Sequence, residues 1–247
     1  MSKRIAPKLL AEFIGTFAFV FIGAGTAAVV GDGVGLAGIV AIAFAHGLTI
    51  MAFAFAYGSV SGGHMNPAVT VGVLAAGAMS IGEAIGYIIS QLIGGVAGAL
   101  LLRTLLGGIE TGLGTPALAH NLALGATSLT IAPAAGFMTE ALLGFFLVTV
   151  VLSTAVAGRA GSLAPLAIGM TLTLNILMGG ALTGASFNPA RALGPMVATG
   201  NFSEAWLYMT APIVGAIVAA VLHTGLTRLA QEGMVVGRRA SAQVPAE

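Results

Sequence analysis

Six stretches of the chain stay apolar for the length of a bilayer crossing: Leu9 to Val30, Leu36 to Tyr57, Glu83 to Leu106, Ala134 to Ala157, Ala164 to Gly180 and Ala205 to Leu226. A hydrocarbon core about 30 Å thick takes roughly 20 helical residues, and in lipid every backbone N–H and C=O must be satisfied within the segment or its immediate neighbours. The runs therefore restrict the chain to a bundle of membrane helices. Composition agrees, since 57% of the 247 residues are hydrophobic and only 7% charged, a balance that keeps no soluble domain in water. The bilayer is the expected partner.

The few charges are placed asymmetrically. Lys3, Arg4 and Lys8 precede the first run, and Arg228, Arg238 and Arg239 follow the last. By the positive-inside rule both termini are expected in the cytoplasm, which agrees with an even number of crossings, and the cell (plasma) membrane is the expected location. The first run is too long for a signal-peptide core and is read as a retained helix. A net charge of +1 gives no basis for binding nucleic acid. The chain has no cysteine, and its four histidines lie in unrelated segments. With no HExxH and no phosphate-binding loop, neither an enzyme nor a metal or cofactor site is expected.

Two further stretches, Asn66 to Ala76 and Asn188 to Ala198, are apolar but too short to cross, and both open with Asn-Pro-Ala. A capping Asn followed by Pro in the first turn starts a helix, so each stretch predicts a half-helix. The halves repeat: Glu12 with Gly15 and Phe17 resembles Glu140 with Gly144 and Phe145, and Gln91-Leu92-Ile93-Gly94 aligns with Pro212-Ile213-Val214-Gly215. A unit with three crossings inverts on its second occurrence, so the half-helices enter from opposite faces and their N-termini meet near the midplane. The expected fold is an all-α membrane protein of six transmembrane helices plus two re-entrant half-helices. It forms one domain over 1–247, with inverted repeats at about 8–106 and 134–228 and a disordered tail from about 230. Small residues at Gly82/Gly86, Gly94/Gly98 and Gly215/Ala219 are expected at helix contacts, and 107–133 is read as an outward-facing loop.

The segments Ser61-Gly62-Gly63-His64-Met65-Asn66-Pro67-Ala68-Val69-Thr70 and Thr183-Gly184-Ala185-Ser186-Phe187-Asn188-Pro189-Ala190-Arg191 resemble the aquaporins, the major intrinsic proteins, and the resemblance runs from about Lys8 to Leu226. It implies a passive channel for water and small neutral solutes, assembled as a homotetramer. In that reading the carbonyls of Gly62, Gly63, His64 and Met65, with those of Gly184, Ala185, Ser186 and Phe187, form two acceptor ladders. The amides of Asn66 and Asn188 donate to one water oxygen, and the dipole ends of the half-helices oppose cations. Pro67, Ala68, Pro189 and Ala190 complete the paired motifs. Arg191, a charge at membrane depth, matches the family's selectivity arginine.

Three more positions match the family's narrowest ring: His46, Ile176 and Ala185. Strict water channels carry Phe and His at the first two, whereas His, Ile, Ala, Arg is similar to the vacuolar-membrane branch, whose members often pass ammonia or urea. A wider, more amphipathic neck with ammonia permeation is expected. A glycerol/urea facilitator of the same fold is the alternative. Ala192 and Met196 stand where glycerol facilitators usually carry Asp and a basic residue, and Tyr208 fits the water-channel pattern. Glu12 and Glu140 are expected to brace the loops by accepting from buried N–H groups. His64 is read as a further loop brace, His223 as interfacial, and His120 as a solvated loop histidine, with a place in the filter at the pore mouth as the alternative.

Overall fold

Helical crossings follow the apolar runs with small shifts at the ends. The computed structural model describes residues 5–31 and 35–241. Six helices are long and apolar enough to span a membrane: Ala6–Val30, Ala37–Ser61, Ile81–Leu105, Pro133–Val156, Gly161–Thr183 and Ala205–Ala230. The third is capped by Ser80, whose side chain accepts from Glu83 N at 3.3 Å, and Pro occupies the first turn of the first and fourth, where its missing N–H costs nothing. Between the second and third spans lies a half-helix, Pro67–Ala75, and between the fifth and sixth a second, Pro189–Thr199. Phe44, Phe55, Ile89, Ile93, Met178 and Val221 are exposed, as the lipid-facing side of such a bundle requires.

The packing maps onto itself when the halves are exchanged. The first span packs on the third as the fourth does on the sixth, while the second and fifth pack on each other. Each half-helix lies against a span of the other half, the first on the sixth span and the second on the third. These contacts need bare backbone. A Cβ on Gly94 would stand 2.5 Å from Phe13 O, one on Gly98 2.7 Å from Phe17 O, and one on Gly215 1.8 Å from Ala141 O. The Gly82/Gly86 pair departs from expectation: a Cβ on Gly82 would meet nothing within 4 Å, and one on Gly86 would touch the flexible end of Leu9. Gly82 lies near the start of its helix and faces outward, so spacing alone misjudged it.

Gly215→Ala is accordingly expected to force the fourth and sixth spans apart and to lose about 1–3 kcal/mol, the usual cost of overpacking. Gly82→Ala should leave stability unchanged or slightly raised. Thermal unfolding of the two variants in detergent checks the contrast, and equal midpoints would contradict it.

Two further departures concern connections and ends. The long connection 107–133 carries regular structure, a two-stranded hairpin pairing Leu122–Leu124 with Thr127–Leu129. The last helix continues to Ser241, beyond the expected onset of the disordered tail, because Gln, Glu, Met and Arg are good helix formers. Residues 242–247 of that tail, and Lys3 and Arg4, lie outside the described residues.

Candidate functional site

The two half-helices meet tip to tip. Asn66 and Asn188 are extended N-caps, and each side-chain oxygen accepts from its own helix: Asn66 Oδ1 from Ala68 N at 2.8 Å, Asn188 Oδ1 from Ala190 N at 3.0 Å and Arg191 N at 3.3 Å. Their amide nitrogens cross over. Asn66 Nδ2 donates to Phe187 O at 3.0 Å, and Asn188 Nδ2 to Met65 O at 2.9 Å. An amide nitrogen carries two hydrogens, so each asparagine caps, clasps the opposite loop and retains one hydrogen. Both line one midplane cavity of about 20 Å³, whose other walls include Phe19, Ile50, Val69, Leu147 and Leu172. That is room for about one water.

The loops that reach the midplane are held in an unfavourable backbone. Met65, Ala185 and Phe187 have φ of 47°, 41° and 29°, left-handed values that cost a non-glycine residue roughly 1–2 kcal/mol. Buried carboxylates hold them. Glu12 Oε1 accepts from Ser61 Oγ at 2.6 Å and His64 N at 2.9 Å, and Oε2 from Met65 N at 2.6 Å and Gln91 Nε2 at 2.7 Å. In the other half Glu140 Oε1 accepts from Thr183 Oγ1 at 2.6 Å and Ser186 N at 3.0 Å, and Oε2 from Phe187 N. Tyrosines finish the brace: Tyr87 donates to Ser61 O and Tyr208 to Thr183 O, each at 2.7 Å. Neither glutamate is exposed, so an ionised carboxylate here is bearable only with its donors in place.

Two larger cavities flank this one. Towards the hairpin lies a cavity of about 260 Å³ lined by Ile176, Gly184, Arg191, Ile39 and residues of the 111–117 loop. Towards Lys8 lies one of about 400 Å³ lined by Gly62, His64, Glu83 and Tyr87. Of the eight expected ladder residues, Gly62, Gly63, His64 and Phe187 line the midplane cavity and Gly184 the hairpin-side one. Met65, Ala185 and Ser186 are buried and line none of the three. The Met65 and Phe187 carbonyls already accept the crossed asparagine amides.

His46, on the second span, has its Nδ1 2.8 Å from Ile42 O. A carbonyl only accepts, so Nδ1 carries the hydrogen and a neutral ring leaves Nε2 as an acceptor. Phe19 meets the ring edge-on at 5.2 Å, and Gly23 makes room for it, since a Cβ there would stand 2.5 Å away. Gly23 lies in a π-helical turn, Val20–Ala24, that recurs in the fourth span as Leu152–Val156. Arg191 is buried within electrostatic reach of His46 and of Glu140. His46 Nε2 and Arg191 Nε and Nη1 have no hydrogen-bond partner among the described residues. Ile176 and Ala185 are buried in one apolar cluster, and Ile176 lines the hairpin-side cavity together with Arg191. His120 is exposed in the outer connection and lines no part of the hairpin-side cavity, while His223 is half-buried in the last span.

Several partners escaped the sequence reading. Ser61, Thr183 and Tyr87 brace the loops, and Thr70 and Gln91 form a network found only in the first half. The legible signal was the repeat itself, in which Ser61 aligns with Thr183, Tyr87 with Tyr208 and Gln91 with Pro212.

Comparison with known proteins follows the same lines. The family model for the major intrinsic proteins matches residues 1–223. A probable aquaporin TIP3-2 of Arabidopsis thaliana is 40% identical over 87% of this chain and 81% of its own length. Aquaporin TIP1-2 of Zea mays is 36% identical over 97% of this chain and 90% of its own. These TIP-type relatives lend no support to the plasma-membrane location expected from the sequence. Among solved structures, the aquaglyceroporin from Plasmodium falciparum superposes with a TM-score of 0.74 at 23% identity, covering 89% of this chain and 96% of that one, which establishes a shared fold. With six apolar spans, two inverted half-helices and a family match across most of its length, the chain belongs to the major intrinsic protein (aquaporin) family of integral membrane channels.

Proposed function

We propose that this family member conducts water in single file between the half-helix tips and that its neck also admits ammonia. Passive transport of water and small solutes goes with the family. The observation that carries the finer reading is the pair of crossed asparagine bonds, which leaves one free amide hydrogen on each side of a cavity the size of one water. Water held there by its oxygen points its hydrogens outward in both directions, so no continuous donor chain crosses the midplane.

The neck towards the hairpin supports ammonia as a second permeant. His46 Nε2 accepts, and Arg191 Nε and Nη1 donate, all three without protein partners. Ammonia has a lone pair for the guanidinium and hydrogens for the imidazole, as water does, while Ile176 and Ala185 add an apolar wall. Ammonium meets the fixed positive charge. A tetramer with one pore in each subunit is part of the same proposal, carried by the family likeness. Stopped-flow measurements on proteoliposomes test it: osmotic shrinkage and ammonia uptake should both exceed protein-free vesicles, with glycerol slower than either. Fast water with no ammonia flux above control removes the second permeant, and unchanged water permeability removes the channel.

A further inference from the structure

We propose that Asn175 and Gly179 are positioning residues that set the width of the neck: they fix how closely the fifth span packs on the fourth, and with it the opening beside Ile176 and Ala185. This rests on the channel reading above and adds to it two residues that line none of the three cavities.

An amide inside a membrane bundle is costly unless it is bonded. Asn175 is 5% exposed, and its Nδ2 donates to Leu143 O of the fourth span at 2.9 Å. Its polar neighbours Thr171 and Thr173 serve carbonyls one turn back in their own helix, Ala167 O at 2.8 Å and Gly169 O at 3.2 Å. Asn175 therefore ties the fifth span to the fourth, about two turns before Thr183 makes a second tie through Glu140 Oε1.

Gly179 lies between these ties. A Cβ there would stand 2.7 Å from Leu143 Cδ1 and 3.3 Å from Ala185 Cβ, so Leu143 and Ala185 meet over bare backbone. Leu143 thus takes the amide bond on its carbonyl and lodges its side chain one turn further on. The backbone around Ala185 is held as well. Thr183 Oγ1 accepts from Ala185 N at 3.2 Å, Ala119 N donates to Leu182 O at 2.9 Å, and a Cβ on Gly184 would meet Pro116 Cα at 3.0 Å. A change in the spacing of the two spans is therefore passed to Ile176 and Ala185. The repeat gives this arrangement to one half only: counted from the Asn-Pro-Ala starts, Phe53 and Tyr57 stand in the places of Asn175 and Gly179.

Proteoliposomes of the full chain test it, with osmotic shrinkage, ammonia uptake and urea uptake measured on the same preparations and read as ammonia-to-water and urea-to-water ratios. Asn175→Leu, which suits the apolar surroundings but donates nothing, should raise the urea-to-water ratio about threefold, the worth of a typical hydrogen bond between membrane helices. Asn175→Gln, which keeps the donor, should stay nearer the wild type. Gly179→Ala should lower both ratios about fivefold, the low end of an overpacking effect, because Leu143 can turn whereas Ala185 can only yield towards the neck. General loosening of the bundle would shift the two variants the same way. Shifts of one sign, or an unchanged ratio in Asn175→Leu, overturn the proposal, and if Gly179→Ala does not assemble the Asn175 pair decides alone. A wild type that leaves water permeability unaltered defeats the channel reading and this proposal with it.

Discussion

Proteoliposomes carrying Arg191→Val are expected to conduct monovalent cations and those carrying the wild type to exclude them, while water permeability stays within a few fold. The side chain is buried, and its Nε and Nη1 have no partner among the described residues, so it is held at the neck by backbone and packing rather than neutralised by contact. A unit charge passing about 4 Å from it meets roughly 4 kcal/mol of repulsion at an effective dielectric constant of about 20. That corresponds to nearly a thousandfold in rate. Valine removes the charge, and the Arg191 N–H to Asn188 Oδ1 bond survives because it is made by the backbone. The half-helix dipoles remain, so exclusion weakens rather than vanishes. Cation flux from ion-sensitive dyes or planar-bilayer conductance reads the outcome. A variant as tight to cations as the wild type would show that the dipoles alone suffice.

The second large effect is structural. Glu12→Gln and Glu140→Gln should both unfold more readily, with Glu12→Gln the worse. A carboxylate presents two accepting oxygens, whereas an amide presents one and turns two hydrogens towards groups that are themselves donors. Glu12 serves four donors and Glu140 three. Hydroxyls such as Ser61 can turn away, but the His64, Met65, Ser186 and Phe187 N–H groups cannot. With the amide oxygen keeping the donors of one side, Glu12→Gln loses two charge-assisted bonds, about 3–6 kcal/mol, and Glu140→Gln the one from Phe187 N, about 1.5–3 kcal/mol, enough to release the left-handed backbone at Met65 or Phe187 and pull the asparagine tips apart. Thermal unfolding in detergent and residual water flux measure this together. Wild-type midpoints in both variants would mean that the loops are held by the half-helices alone.

The spans were legible because a bilayer demands long, unbroken apolar runs, and the chain has few polar residues to blur their edges. The half-helices were legible for a different reason, an Asn-Pro-Ala start on segments too short to cross. Glu12 and Glu140 announced themselves as charges in lipid, and their roles as acceptors for the loop N–H groups followed from backbone chemistry at that depth. His46 and Ile176 were reached only through the family resemblance. They sit in helices that are apolar on all sides, where no periodicity distinguishes a pore-facing position from a lipid-facing one.

What the sequence alone determined is therefore the topology: six crossings, two re-entrant stubs, and an inverted repeat that brings the stubs together. Tertiary structure decided which side chains share an atom. The crossed bonds from Asn66 to Phe187 O and from Asn188 to Met65 O join the two halves, while the Gln91–Thr70 bond and the space that Gly23 leaves for His46 join separate helices of the first half. Hydropathy and capping act within a segment and can be read along it. Hydrogen-bond partners across a midplane depend on distances of about 3 Å, which exist only once the two halves have closed on each other.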